Sequence, residues 1–142
     1  MNRILVPIKD FSVLSLSASY FAIEFAKRKP TKILFLIFSS PPLAEESPFS
    51  SVEEGEKRQK QFDGLIQQGR GQRIDLELYF SRDEYFEAVG QFAHDHNITQ
   101  IIIATPQPSD EGYNKFIQEI DTLRNRVECQ LVTVRTKEEA IF

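Results

Sequence analysis

Six polar side chains stand where an apolar run gives way to a helical pattern: Lys9, Asp10 and Ser12 after the first such run, and Thr105, Gln107 and Ser109 after the fourth. An ammonium, a carboxylate, hydroxyls and an amide on two such loops are the donors and acceptors of a small-molecule crevice, and Asp110 extends the second group. In open α/β sheets ligands bind beyond the carboxyl ends of the strands, where strand order reverses, and these two loops would face each other there. Polar residues are also the ordinary content of any strand-to-helix loop, so the set names a place rather than a reaction.

No catalytic set accompanies it. His94 and His96 flank Asp95, and residues two apart do not share a helix face, so a metal site would lack both geometry and further ligands. Neither histidine stands at a strand end where it would meet a serine nucleophile. Cys129 is the sole cysteine. It reads as a small buried hydrophobe at the start of a strand, and a chain with no internal disulfide suits a reducing compartment. No catalytic residue, no metal and no cofactor are expected.

The elements that must position the two loops follow from hydrophobic period. Residues 3–8, after the leading Arg3, and 33–38 are apolar runs of strand length, the signal of strands buried on both faces. Between them Ser12 can cap a helix in which Leu14, Ala18, Phe21, Ala22, Phe25 and Ala26 recur at helical spacing, closed by Lys27-Arg28-Lys29 and Pro30. Two such strands joined by one helix make a right-handed parallel unit. Residues 39–51, with Pro41, Pro42 and Pro48, have no usable period and read as an exposed loop. A polar helix follows over 53–68, anchored by Phe62, Leu65 and Ile66 and ended by Gly69 and Gly71. Residues 74–80 alternate, with Ile74, Leu76, Leu78 and Phe80 on one face, which suits a strand near a sheet edge. A helix over 84–96, a strand over 100–104, a helix carrying Tyr113, Phe116, Ile117, Ile120 and Leu123, and a last strand over 130–135 complete a βαβαβαβαβ order. Twelve phenylalanines need no cofactor explanation, because Phe21, Phe25, Phe62, Phe86 and Phe116 fall on core-facing periods.

With 142 residues, 27% charged and 41% hydrophobic, the chain is of the size of one domain, 1–135, with a short charged tail, 136–142. A net charge of −4 leaves no electrostatic footprint for nucleic acid or an anionic membrane. No apolar run is long enough to span a bilayer and the first strand begins at once, leaving no room for a signal peptide, so a cytoplasmic protein is expected.

The opening Ile4-Leu5-Val6-Pro7-Ile8 with Ser12 at the helix start, on an alternating chain of this length, resembles the universal stress protein family over residues 3–135. The resemblance implies a three-layer α/β sandwich with a five-stranded parallel sheet of order 3-2-1-4-5. In the nucleotide-binding branch of that family the fourth strand ends in Gly-x2-Gly-x9-Gly-Ser/Thr. Aligned on Arg135, those positions fall on Ala104, Gln107, Ile117 and Gln118, and the acidic residue closing the first strand falls on Lys9, beside Asp10. Gly112 is the only glycine between residues 101 and 135. Side chains at Gln107 and Ile117 would stand where phosphate oxygens sit, and Pro106 and Pro108 remove two backbone donors. The expectation is a degenerate member, a non-catalytic module in stress response or signalling that does not bind ATP. A small-molecule or nucleotide sensor with an altered crevice and a nucleotide-processing hydrolase are the alternatives. The fifth strand, Gln130 to Arg135, would lie at an open edge too apolar to leave bare, which implies a homodimer that a Val132→Pro change should split.

Overall fold

The computed structural model describes residues 2–38, 52–109 and 111–134. The 39–51 loop, Asp110, Arg135 and the tail 136–142 lie outside the described residues, so what the sequence suggests for them stays an expectation. The elements are β1 Asn2–Ile8, α1 Val13–Arg28, β2 Thr31–Phe38, α2 Val52–Gly71, β3 Asp75–Ser81, α3 Tyr85–Asp95, β4 Gln100–Ala104, α4 Tyr113–Arg126 and β5 Gln130–Val134. The five strands form one parallel sheet of order β3-β2-β1-β4-β5. No helix of the described residues is long and apolar enough to cross a membrane.

The central strands are apolar at every position because both faces are covered. Ile4, Val6, Ile8, Ile33, Phe35, Ile37 and Ile102 pack with Ala18, Ala22 and Phe62 of α1 and α2. The alternate residues Leu5, Leu34, Leu36, Ile101 and Ile103 pack on the other face with Val89, Ala93, Ile120 and Leu123 of α3 and α4. Each fully buried side chain of this size contributes about 1.5–3 kcal/mol relative to exposure.

Three expectations are corrected. Phe21 is not a core residue of α1; it is 45% exposed, and the buried face is Ser15, Ala18, Ser19, Ala22 and Ile23. Small residues let the helix axis approach the sheet, and the Ser19 hydroxyl is satisfied by donating to the Ser15 carbonyl at 2.8 Å. Gly69 does not end α2 but sits buried in its last turn, where a Cβ would meet Leu76 Cδ1 at 2.9 Å. The turn that follows uses Arg73 at φ 64°, while the Ile74 N–H donates back to the Gly69 carbonyl. Finally, β3 begins at Asp75, and its alternation breaks down at Phe80, which is 69% exposed, while Tyr79 packs on the α3 side. An edge strand has less covering on either face, so its outermost residues stay wet.

The seam between β1 and β4 is uneven. β1 pairs β2 along its whole length, from Asn2↔Thr31 to Ile8↔Ile37, but it pairs β4 only through Ile4↔Gln100 and Leu5↔Ile101. Below that, the Thr99 N–H donates to the Arg3 carbonyl at 2.9 Å, the Arg3 N–H donates to Thr99 Oγ1 at 2.9 Å, and Arg3 Nε donates to the His96 carbonyl at 2.7 Å. The two strands are tied at their amino ends and unladdered at their carboxyl ends.

Candidate functional site

A crevice of about 470 Å³ opens above the unladdered ends of β1 and β4. That size suits a small organic ligand, since such pockets run to about 300–1,000 Å³. One wall is the β1–α1 loop with Pro7, Lys9, Asp10 and Ser12; the other is the β4–α4 connection with Ala104, Pro106, Glu111 and Gly112. The first turns of α3 and α4 close the third side.

Of the six sequence candidates, Lys9, Asp10 and Ser12 line the crevice, and Thr105, Gln107 and Ser109 do not. The Ser12 hydroxyl is committed to the helix it caps: it accepts from the Ser15 N–H at 3.1 Å and donates to Ser15 Oγ at 3.2 Å. Thr105 is 4% exposed, and its Oγ1 has no hydrogen-bond partner among the described residues. Its backbone N–H donates to the Val134 carbonyl at 2.8 Å, so the residue extends the β4–β5 ladder instead of turning outward. Ser109 is exposed and Gln107 half-buried. Of the positions that the family pattern gives to phosphate binding, only Ala104 reaches the crevice.

The sequence reading missed the third side. Tyr85, Phe86 and Phe116 form an aromatic wall, with Tyr85 edge-on to Phe86 at 4.8 Å, Phe86 edge-on to Phe116 at 5.5 Å, and Phe38 against Tyr85 at 4.9 Å. The Lys9 ammonium lies over the Tyr85 ring, 5.7 Å from its centroid. Burial, and next the negative charge of Asp10, push the Tyr85 phenol far above its usual range, so it stays a neutral hydroxyl at any ordinary pH. Glu84, Glu111, Lys115 and Glu119 complete the charged lining. The signal that could have found these residues was positional: α3 and α4 start at the same end of the sheet as the two loops.

Electrostatically the crevice is acidic, with Asp10, Glu84, Glu111 and Glu119 against Lys9 and Lys115. Gly112 stands at the N-cap of α4 at φ 83°, a left-handed conformation that explains glycine there, and α4 has no side-chain cap. Both histidines lie elsewhere; His96 stacks on Phe92 at 3.9 Å and lies 5.1 Å from Tyr79. Cys129 is half-buried, and burial raises its thiol pKa. Among the described residues no three His, Cys, Asp or Glu side chains are grouped as a metal ion would need.

No protein-family model and no curated protein sequence matches the chain. Its structure, however, is similar to many universal stress proteins. One in complex with cAMP superposes with a TM-score of 0.67 at 12% identity, over 96% of this chain and 98% of that one. One from Archaeoglobus fulgidus in complex with dAMP gives 0.58 at 12% identity, over 94% and 97%. A family protein from Arabidopsis thaliana with AMP bound gives 0.61 at 11% identity, over 98% and 94%. The chain has the universal stress protein fold, with the five-stranded order that the resemblance implied.

Proposed function

We propose that the protein is a non-catalytic, cytoplasmic module of the universal stress protein type, acting in stress response or signalling as a homodimer, with a crevice that does not take ATP. The observation that carries this reading is the lining of the crevice. Where a triphosphate needs glycine backbone donors and positive charge, this chain offers Pro106 and four carboxylates against two lysines. A lysine at Lys9 does not reverse that balance, since its ammonium is already engaged with the Tyr85 ring. Support for the absence of catalysis comes from Ser12, whose hydroxyl is tied into the α1 cap with no histidine at hand to activate it. The dimer rests on β5, whose outer edge has no partner strand among the described residues.

Calorimetry with Mg-ATP tests this reading, with no binding expected in the micromolar range. Micromolar affinity would overturn it. A second reading, a nucleotide sensor, is favoured by the AMP, cAMP and dAMP complexes of structural neighbours and by an aromatic wall on which a base could stack. Titration with AMP in the same experiment separates the two.

A further inference from the structure

We propose that an apolar surface on α1 is a docking groove for the chain's own segment Ala140-Ile141-Phe142, folded back from the end of β5. The groove is separate from the crevice and does not depend on how the crevice is read. α1 carries two apolar stripes. One, through Ala18, Ala22 and Ile23, is buried on the sheet. The other, through Val13, Leu16, Tyr20 and Phe21, recurs at helical spacing and stays largely open, with Val13 58%, Tyr20 55% and Phe21 45% exposed. Three of the four large hydrophobics that stand exposed among the described residues are therefore on this one stripe. With Leu65 of α2 and Val134 of β5 it lines an open groove of about 590 Å³. Exposed apolar surface gathered in one place marks an interaction site.

The chemistry of the groove calls for an apolar occupant. Glu24 is the one charged residue in its described lining, and the Lys27 ammonium already meets that carboxylate at 2.7 Å. The choice of occupant follows from position. Val134 is both a wall of the groove and the residue from which the remainder of the chain departs. Five polar residues follow it, Arg135 and Thr136 through Glu139, and then Ala140, Ile141 and Phe142. Six extended residues reach about 20 Å. The stripe from Val13 to Glu24 is about 17 Å of helix, so the apolar segment can lie against any part of it. A segment tethered this closely acts at an effective concentration on the order of millimolar, so a second copy at micromolar concentration would have to bind about a thousandfold more tightly to replace it. The contact does not use the outer edge of β5, which makes it separable from dimerisation.

The chain has no tryptophan, so Phe142→Trp places a single fluorescent reporter in the full chain. Its emission should be blue-shifted from that of free N-acetyltryptophanamide, and iodide should quench it several-fold less, to the same extent across the micromolar range of protein. Tyr20→Glu with Phe21→Glu, both at exposed positions outside the core, should return emission and quenching to those of the free indole, with circular dichroism confirming the fold. Ile141→Asp beside the reporter should do the same without altering the folded domain, so the test stands even where the double variant fails to fold. Phe80→Glu removes the fourth exposed hydrophobic, on the strand at the opposite edge of the sheet, and should change nothing. Free-indole behaviour in the reporter protein, protection that survives either the paired glutamates or Ile141→Asp, or protection that Phe80→Glu abolishes as well would each overturn the proposal. Protection that grows with protein concentration would also overturn it, by assigning the groove to a second copy.

Discussion

Thr105→Val should make the protein more stable. The hydroxyl of Thr105 is buried just past the carboxyl end of β4 with no partner among the described residues, although its backbone N–H is engaged with the Val134 carbonyl. Burying an uncompensated hydroxyl costs roughly 1–3 kcal/mol on mutational scales. Valine keeps the β-branch and almost the same shape, so the strand preference and packing are retained while that cost is removed. Allowing for some loss of fit, the expected gain is about 1–2 kcal/mol. For a chain of this size it corresponds to a rise in Tm of about 3–8 °C. Thermal and urea denaturation followed by circular dichroism measure it. Thr105→Ser is the control: it keeps the hydroxyl and loses a methyl, so it should fall by about 1 kcal/mol. If valine instead lowers Tm while serine is tolerated, the hydroxyl makes a bond that matters and the reasoning fails.

Phe62→Ala should cost about 3–5 kcal/mol in the same assay, because Phe62 is fully buried with its ring against Phe11 at 5.4 Å and Phe35 at 5.3 Å; a loss under 1 kcal/mol would mean the site collapses freely. Light scattering at micromolar concentration should report twice the chain mass, and Thr133→Pro should return it to one. Val132→Pro is the wrong probe, because the Gln130 N–H and the Val134 carbonyl bond to β4, so by alternation Val132 also faces β4 and the outward donors are those of Leu131 and Thr133. The Lys32 ammonium first, and then the Tyr79 hydroxyl, hold the Glu77 carboxyl below an ordinary glutamate's 4.5. A lowered folded pKa adds stability that is present above about 4.5 and lost as pH falls through the folded value. Glu77→Gln should therefore be less stable than the unaltered protein near neutral pH, and the two curves should converge in acid; parallel curves would discount the pair.

The strands that were legible in the sequence were those buried on both faces. β1, β2 and β4 are apolar at every central position, and nothing but a covered parallel strand needs that. The start of α1 was legible for a local reason, since Ser12 caps with its own side chain and Pro30 bars continuation. The face of α1 was not. Its buried stripe contains Ser15 and Ser19, and a rule that looks for large apolar residues turns the helix toward Phe21 instead. Gly69 reads as a terminator for a similar reason: glycine inside a helix is rare, but the close approach of Leu76 favours it here. At the crevice, Lys9, Asp10 and Ser12 could be found because topology alone places them. Tyr85, Phe86 and Phe116 could not be told from core, since a ring on a core-facing period and a ring lining a crevice obey the same spacing. Nor could the inward turn of Thr105 be read, because it depends on one backbone bond to a strand that begins twenty-five residues later.

The strand order carries a consequence for a chain made from its amino end. β1 lies in the middle of the finished sheet, but its neighbour on one side, β4, begins only at Gln100. Until that point has been synthesised, β1-α1-β2-α2-β3 can form a three-stranded half-sheet whose bare outer strand is the apolar Ile4-Leu5-Val6. A sheet edge of that kind is a template for another chain, and pairing across so long a sequence separation is slow. The strand most deeply enclosed in the native protein is therefore the one longest exposed during its birth, and a product truncated before residue 100 would carry that exposed strand permanently.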